Sequence, residues 1–365
     1  MRKNYFKHKR VMQDITVLIT GAGAPGAPGI IKSLRLVKER KIRIVGVDMD
    51  KNSVGFAMVD KSYLVPPAER KNFIPEVLRI ARKEKVGVVI PLVTRELLKF
   101  AKNKEEFKKA GIRVSISNPE PLRIANNKYL LMKYCSENGV PVPTFRLVKN
   151  YRQFKEAVYA LGYPGENVCF KPPISNGLRG FRILTEKLDR LTLLMKEKPH
   201  NVLTTFKEIE EILKRAKPFP ELIVMEYLPG EEYSVDALVD EGKTIVVVPR
   251  LREKIKMGIS FVGTTIRDQE IINYSKQIVE ILRLNGNIGL QFKRDKKDVP
   301  KIIESNPRVQ GTIVLCTAAG ANLIYLAIKL ALGEKIERPK IKWGTKMIRY
   351  WEEIYYDKRG HAFTL

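Results

Sequence analysis

The chain has 365 residues, 44% hydrophobic and 29% charged, enough to bury a large core in two or three domains. No apolar run approaches the roughly 20 residues that a membrane span needs, and no apolar stretch follows the basic start MRKNYFKHKR, so a secretory signal is not expected. The net charge of +27 raises nucleic-acid binding as one reading. Yet the basic residues are spread along the whole chain and interleaved with Glu, as on a solvated surface. Lys-rich, Ile-rich, Gln-poor composition also resembles proteins from hot environments, and part of the charge can serve an anionic nucleotide and substrate.

Cys135, Cys169 and Cys316 are scattered and lack zinc-ligand spacing, which suits free thiols in a reducing cytoplasm. Of the histidines, His8 and His361 lie at the chain ends and His200 in a polar stretch. A Ser-His-Asp or Cys-His mechanism is therefore not expected, and catalysis must rest on Lys, Arg and carboxylate or amide side chains.

In chain order, ITVLIT (15–20) reads as a buried strand, followed by a Gly-rich turn and a helix around IIKSLRLVKER. IRIVGVD (42–48) is a second strand, a helix spans 71–85, VGVVIPL (86–92) is a third strand, and RELLKFAKNKEEFKKAG is another helix before IRVSIS (112–117). This βαβ series predicts a parallel doubly wound sheet. From Asn118 the texture changes to a turn-rich joint, a helix KYLLMKYCSENG, and then strand-like runs VCFKP, FRIL, LIVMEYL, YSVDALVD, TIVVVPRL, IGLQFKR and KIIESN. Helices near 186–197 and 267–284 interrupt them, giving a mixed α+β arrangement. After Leu332-Gly333 a basic extension is expected to pack back through its aromatics.

GAGAPG (21–26) satisfies G-x-G-x-x-G between a strand and a helix, with Asp48 ending the second strand. These features meet the dinucleotide fingerprint, so an NAD(P)-dependent oxidoreductase is one reading. Pro25 and Pro28 remove donors from the turn, and no hydride-relay base is evident. An anionic substrate group at the turn, or a tight packing turn, are the other readings.

Lys171 ends the strand CFKPP beside a flexible loop containing Ser175, Gly177, Arg179 and Gly180, an arrangement that suits a triphosphate. A surface hairpin with an incidental lysine is the plainer alternative. Lys128 is a second phosphate candidate. In LIVMEYLPGEEYSVD, the stretch from Met225 through Glu226 and Tyr227 to Leu228 offers an apolar slot with acceptors and a donor for adenine, and Glu232 a ribose contact. If the loop Asp295–Asp298 closes a hairpin, Gln291 faces Ile302, and Glu304 and Asn306 share its face. Three oxygen donors then converge as Mg²⁺ (or Mn²⁺) bridging phosphates requires. An odd-length loop would turn Gln291 to the other face. Arg308, after Pro307, is placed to stabilise a transferring phosphoryl group.

In this order, Lys128, Lys171 with SNGLRG, MEYLPGEE, Gln291 and ESNPR resemble the ATP-grasp superfamily, nearest to single-module relatives of the carbamoyl phosphate synthetase large subunit, over roughly residues 12–335. The resemblance implies an α/β and α+β protein. A doubly wound pre-ATP-grasp domain (1–117) would precede an ATP-grasp domain of two α+β subdomains (118–335, lid about 143–228), followed by the basic extension (336–365). It implies ATP and Mg²⁺ as cofactors, with the Arg179 loop closing over the phosphates and Arg308 stabilising an acyl phosphate. Arg250 and Arg252 would lie on a substrate-facing basic strand. The implied activity is a cytoplasmic carboxylate–amine ligase acting on small molecules, compatible with a homodimer. Carbamoyl phosphate synthetase has two such modules and this chain has room for one.

Overall fold

The computed structural model describes residues 12–175, 177–187, 189–196, 202–256 and 258–365; His8, His200 and Asn176 lie outside them. The first unit comprises β1 (Ile15–Thr20), α1 (Ala27–Arg35), β2 (Ile42–Asp48), β3 (Lys61–Leu64), α2 (Phe73–Lys83), β4 (Val88–Ile90), α3 (Thr94–Lys102), α4 (Lys104–Lys109) and β5 (Arg113–Val114). Its sheet has the order β3-β2-β1-β4-β5 with every pairing parallel. The strands of such a sheet are covered on both faces and so read as continuous apolar runs. Here α2 and α3 pack on one face through Phe73, Ile80 and Phe100, while α1 and more C-terminal elements cover the other. The expected single helix after β4 is broken at Asn103 into α3 and α4.

Helices α5 (Pro119–Ala125) and α6 (Lys128–Glu137) lead into β6 (Phe145–Val148), α7 (Tyr151–Ala160), β7 (Val168–Lys171), β8 (Arg182–Leu184), α8 (Arg190–Lys196), β9 (Leu203–Thr204), α9 (Phe206–Arg215) and β10 (Leu222–Glu226). These strands form a second sheet, β6-β10-β7-β8-β9, backed by α7 and α9 through Phe154 and Phe206. A capping box starts α9: the Thr205 hydroxyl takes the Glu208 N–H while the Glu208 carboxylate takes the Thr205 N–H.

The third sheet is built from β11 (Glu232–Asp240), β12 (Lys243–Lys256), β13 (Ile259–Thr265), β14 (Gly286–Arg294), β15 (Pro300–Asn306) and β16 (Lys346–Ile348), in the order β15-β14-β11-β12-β13-β16. Helix α10 (Gln269–Ile281) and α6 cover one face. Helices α11 (Val314–Ala318) and α12 (Leu323–Ala331) lie between the other face and the first sheet. A final hairpin joins β17 (Tyr355–Tyr356) to β18 (Ala362–Phe363). The basic extension returns chiefly by pairing β16 on β13; of the aromatics expected to pack it, Trp351 meets Phe261 at 6.3 Å between ring centroids but stays 84% exposed, and Tyr350 is 74% exposed.

The Gly-rich turn is a packing device. A Cβ on Gly26 would overlap the Gly311 backbone, and one on Gly29 would stand 3.1 Å from Val314, so these glycines let α1 approach the 311–314 segment. The Gly23 N–H is already bonded to Asp48 Oδ2 at 2.7 Å, and the Gly55 N–H binds the Ala22 carbonyl at 3.2 Å. A carboxylate thus occupies the donor that a dinucleotide pyrophosphate would need, and the oxidoreductase reading finds no support. Gly26→Ala should cost about 2 kcal/mol or more in urea unfolding, as overpacking does, whereas Gly165→Ala, with its nearest atom 3.5 Å away, should change stability by less than about 0.5 kcal/mol.

Candidate active site

The site is organised by one irregularity in the β14–β15 hairpin. The connection runs from Asp295 to Val299, because β15 begins only at Pro300. Phe292, not Gln291, therefore faces Ile302, which corrects the expected register. That odd-length loop should have turned Gln291 away from Glu304. A bulge intervenes between Gln291 and Phe292, and beyond it Gln291 pairs with Glu304 and Gly289 with Asn306. Ile303 is the extra residue. A bulge restores side-chain parity and leaves one residue outside the ladder. The Ile303 carbonyl accepts instead from Lys171 Nζ at 3.0 Å.

Lys171 ends β7 and is 8% exposed. Lys128 opens α6, where Asn127 caps the helix by accepting from the Tyr129 and Leu130 N–H groups. The Lys128 N–H binds the Pro173 carbonyl at 2.9 Å and its Nζ binds the Ser175 carbonyl at 2.8 Å, so the helix start and the 172–180 loop are fixed to each other. Lys128 Nζ also lies 3.4 Å from Glu304 Oε2, and the Asn306 amide donates to Glu304 Oε1 at 2.9 Å. Burial alone would raise the Glu304 carboxyl, but Lys128, Lys171 and Asn306 outweigh it and hold its pKa below the ordinary value. Burial pushes the Lys171 ammonium down, against the pull of Glu304.

Lys128, Lys171 and Glu304 form the polar end of a cavity of about 280 Å³ that also reaches Gln291 and Ser175; Asn306 stands behind Glu304, outside its lining. Its other end is apolar, walled by Cys169, Phe181, Ile183, Val202, Met225 and Leu228. Glu226 lines it too, but its carboxylate is engaged by Lys301 Nζ at 2.5 Å and the Thr144 N–H at 3.0 Å, which leaves the backbone of this segment to meet a ligand. Tyr227 carries Lys293 over its ring at 5.0 Å, a cation in the cavity that no sequence motif marked. Glu232 is paired with Arg252, whose remaining nitrogens reach Ser260 Oγ at 2.8 Å and the Gly258 carbonyl at 2.7 Å. Arg252 is thus held by protein groups and acts on Glu232. Gly177 and Gly180, at φ 62° and 75°, give the loop its left-handed turns. Gly177 lines the cavity; Arg179 and Gly180 do not.

Arg308 lies beyond Asn306, donating to Asn306 Oδ1 at 3.1 Å, the Val309 carbonyl at 2.8 Å and Thr94 Oγ1 at 3.1 Å. Through Thr94 it joins the third sheet to the start of α3. There, Glu96 accepts from Thr20, and burial lifts its carboxyl to about 7, aided by Asp48. Arg250 is outside the cavity lining, 2% exposed and 2.6 Å from Asp236; Cys316 Sγ donates to the same Asp236 at 3.3 Å. Asp236, Thr94 and Glu96 carried no sequence signal because their partners are distant in the chain.

The donor set fits a divalent ion that shares its coordination with phosphates: one carboxylate and two amides on one face, all hard oxygens. Among the described residues no cluster of three His, Cys, Asp or Glu forms an all-protein metal cage, so phosphate and water would have to complete the shell.

Glu304→Gln leaves two buried ammonium groups without their carboxylate. Breaking a buried pair costs about 3–5 kcal/mol; since the Glu304 side chain is 24% exposed, urea unfolding at pH 7 should show a loss of about 2 kcal/mol. The folded pKa lies below the ordinary 4.5. The wild-type advantage should therefore hold above about pH 5 and shrink as pH falls below about 4.5; an advantage that grows in acid would contradict the pairing.

Comparison with known proteins places these features. A family model for an N-terminal domain described as PylC-like matches residues 17–115. One described as ATP-grasp in the biosynthetic pathway with Ter operon matches residues 218–352. The carbamoyl phosphate synthase large chain of Caldanaerobacter subterraneus subsp. tengcongensis is 24% identical over 332 residues, 86% of this chain and 28% of that protein. That of Clostridium acetobutylicum is 23% identical over 78% of this chain and 25% of that protein. The chain thus spans about a quarter of the length of these relatives. Among solved structures, an ADP complex of N5-carboxyaminoimidazole ribonucleotide synthetase superposes with TM-score 0.68 at 19% identity, over 91% of this chain and 81% of that one. A biotin carboxylase from Campylobacter jejuni gives 0.66 at 17%, over 89% and 73%. An L-amino acid ligase from Bacillus licheniformis gives 0.61 at 15%, over 90% and 75%. The order of motifs, the two sheets facing one cavity and the fold of the solved structures agree with the ATP-grasp family model, which the chain matches over residues 218–352.

Proposed function

We propose that this protein is an ATP-dependent ligase that activates a substrate carboxylate as an acyl phosphate and joins it to an amine. The observation that carries the reading is the meeting of Lys128, Lys171 and Glu304 at the polar end of a cavity whose other end is apolar. A nucleoside triphosphate has that same polarity. In this reading the adenine lies against Met225 to Leu228, and Glu232, oriented by Arg252, meets the ribose. Lys128 and Lys171 neutralise the phosphates, while Ser175, Gly177 and Arg179 belong to the loop that closes over them. Residues 1–117 would then help present substrate, 118–335 hold nucleotide with 143–228 as the lid, and 336–365 extend the third sheet. The relatives that support the reading include an enzyme complexed with ADP and an L-amino acid ligase.

Gln291, Glu304 and Asn306 would hold Mg²⁺, which supplies charge neutralisation at the nucleotide phosphates. The substrate carboxylate oxygen attacks the γ-phosphorus, the bond to the β,γ-bridging oxygen breaks, and ADP leaves. The amine then attacks the acyl carbon of the resulting acyl phosphate, phosphate departs, and the amine loses a proton to give the amide. Arg308, on the phosphate side of the site, offsets charge on the transferring group. No histidine base is needed, because the chain's contribution is positioning and fixed charge.

The test is ADP release across pairs of small carboxylates and amines. Release should require a carboxylate, and hydroxylamine in place of the amine should trap an acyl hydroxamate. Lys171→Ala and Glu304→Ala should abolish both signals. Carboxylate-independent ADP release that survives both substitutions would overturn the proposal.

A further inference from the structure

Buried arginines in this protein come with carboxylates. Arg40 is paired with Glu334, Arg250 with Asp236, Arg252 with Glu232 and Arg294 with Asp268. Two half-buried arginines at the 306–312 turn, one on it and one against it, break that pattern. Arg308 donates only to neutral acceptors, Thr94, Asn306 and Val309. Arg349 donates to the Gly311 carbonyl, and among the described residues neither has an acidic side chain within ion-pair distance. Burial pushes both guanidinium pKa values down; Glu304 and Asp236 pull Arg308 part of the way back without touching it, whereas Arg349 has only the charge of Arg250, which lowers it further. A cation held out of water without a counter-charge is unfavourable unless something else brings the charge.

The chain positions Arg349 with some care. Strand β16 adds to the sheet edge with Val262 opposite Ile348, and the Arg349 N–H binds the Phe261 carbonyl at 2.9 Å. This aims the side chain at the 306–312 turn that also carries Arg308. Arg250 reaches the same turn from below, donating to the Thr312 carbonyl at 3.2 Å. Its Nε is buried with no hydrogen-bond partner among the described residues. Three guanidinium groups thus share one turn with a single carboxylate, Asp236.

We propose that Arg349, delivered by the strand that residues 346–348 add to the sheet, anchors a second anionic group of the acid substrate. The substrate is then a dianion, with one carboxylate beside Arg308 for activation and a second carboxylate or a phosphate at Arg349. The proposal rests on the ligase reading for the first carboxylate only; the anion site itself stands on the unpaired guanidinium groups. The charge balance explains why one arginine is left over. The γ-phosphoryl and the reacting carboxylate engage Lys128, Lys171 and Arg308, and nothing in that set reaches Arg349.

The experiment uses the full chain saturated with MgADP, and compares succinate, glutarate and phosphoglycolate with butyrate at equal ionic strength. The readout is the thermal unfolding midpoint. The dianions should raise it above butyrate, with the dicarboxylate and phosphoglycolate arms telling which group is preferred. Arg349→Met should remove that difference while keeping the MgADP shift, and Arg359→Met, a change on the exposed terminal hairpin, should keep both. Equal shifts from monoanions and dianions, or identical behaviour of the two variants, would overturn the proposal. With any acid that drives ADP release, Arg349→Met should raise the KM for that acid about tenfold or more, the weight of one charge-assisted contact, leaving kcat and the KM for ATP within about twofold. A dianion-selective shift without ADP release from any acid would sustain the anion site and sink the ligase reading alone.

Discussion

One extra residue in an edge strand sets where the charges of this protein meet. Ile303 bulges out of the β14–β15 ladder, and that insertion places Glu304 opposite Gln291. Without it, the loop 295–299 would direct Ile303 toward the site and Glu304 toward the core that holds Phe292 and Ile302. The displaced backbone is put to use, because the Ile303 carbonyl fixes the Lys171 ammonium. Two cations and one carboxylate are thereby held at the end of a single cavity. The same bulge that repairs side-chain parity provides the acceptor that orients the Lys171 ammonium.

Across the polar end of the cavity and the neighbouring 306–312 turn, basic groups outnumber acidic ones. Glu304 answers Lys128 and Lys171 together, and Asp236 answers Arg250, while Arg308 and Arg349 meet only neutral oxygens. Elsewhere in the chain a buried arginine is matched locally, Arg294 by Asp268, Glu270 and Asp298. Arg308 and Arg349 thus meet at one turn without a carboxylate in contact with either. The N-terminal unit contributes from the other side: Gly26 against Gly311 and Thr94 against Arg308 bring it onto the turn that carries Arg308 and that Arg349 contacts.

Much of this was legible in the residues. Apolar β-branched runs marked 15–20 and 42–48 residue for residue, since buried parallel strands need no alternation. Lys171 at a strand end beside a Gly-rich loop, and Glu304 and Asn306 alternating with apolar neighbours, were visible because strand periodicity shows them. The register was not. A bulge depends on the whole ladder's pairing, and nothing in KIIESN distinguishes Ile303 from Ile302. Strand β3, helices α7 and α9 and the pair α11–α12 went unnoticed as well; β3 is short, with half-exposed Ser62 and Tyr63 offering little pattern. The extension differs from its expectation for a physical reason: Trp351 and Tyr350 suggest burial by composition, yet only an edge contact of Trp351 with Phe261 forms, and backbone pairing of β16 with the reach of Arg349 does most of the attaching. Glu226 and Arg252 were placed at the cavity from sequence, but their side chains are committed to Lys301 and Glu232.

The most direct test of the central claim is anomalous diffraction from a crystal of the protein with Mn²⁺ and a non-hydrolysable ATP analogue. A manganese peak is expected at coordination distance from the Glu304 carboxylate and the Gln291 and Asn306 side-chain oxygens, with the nucleotide phosphates near Lys128 and Lys171. A nucleotide bound at the Gly21–Gly26 turn, or a metal bound away from Glu304, would contradict that claim.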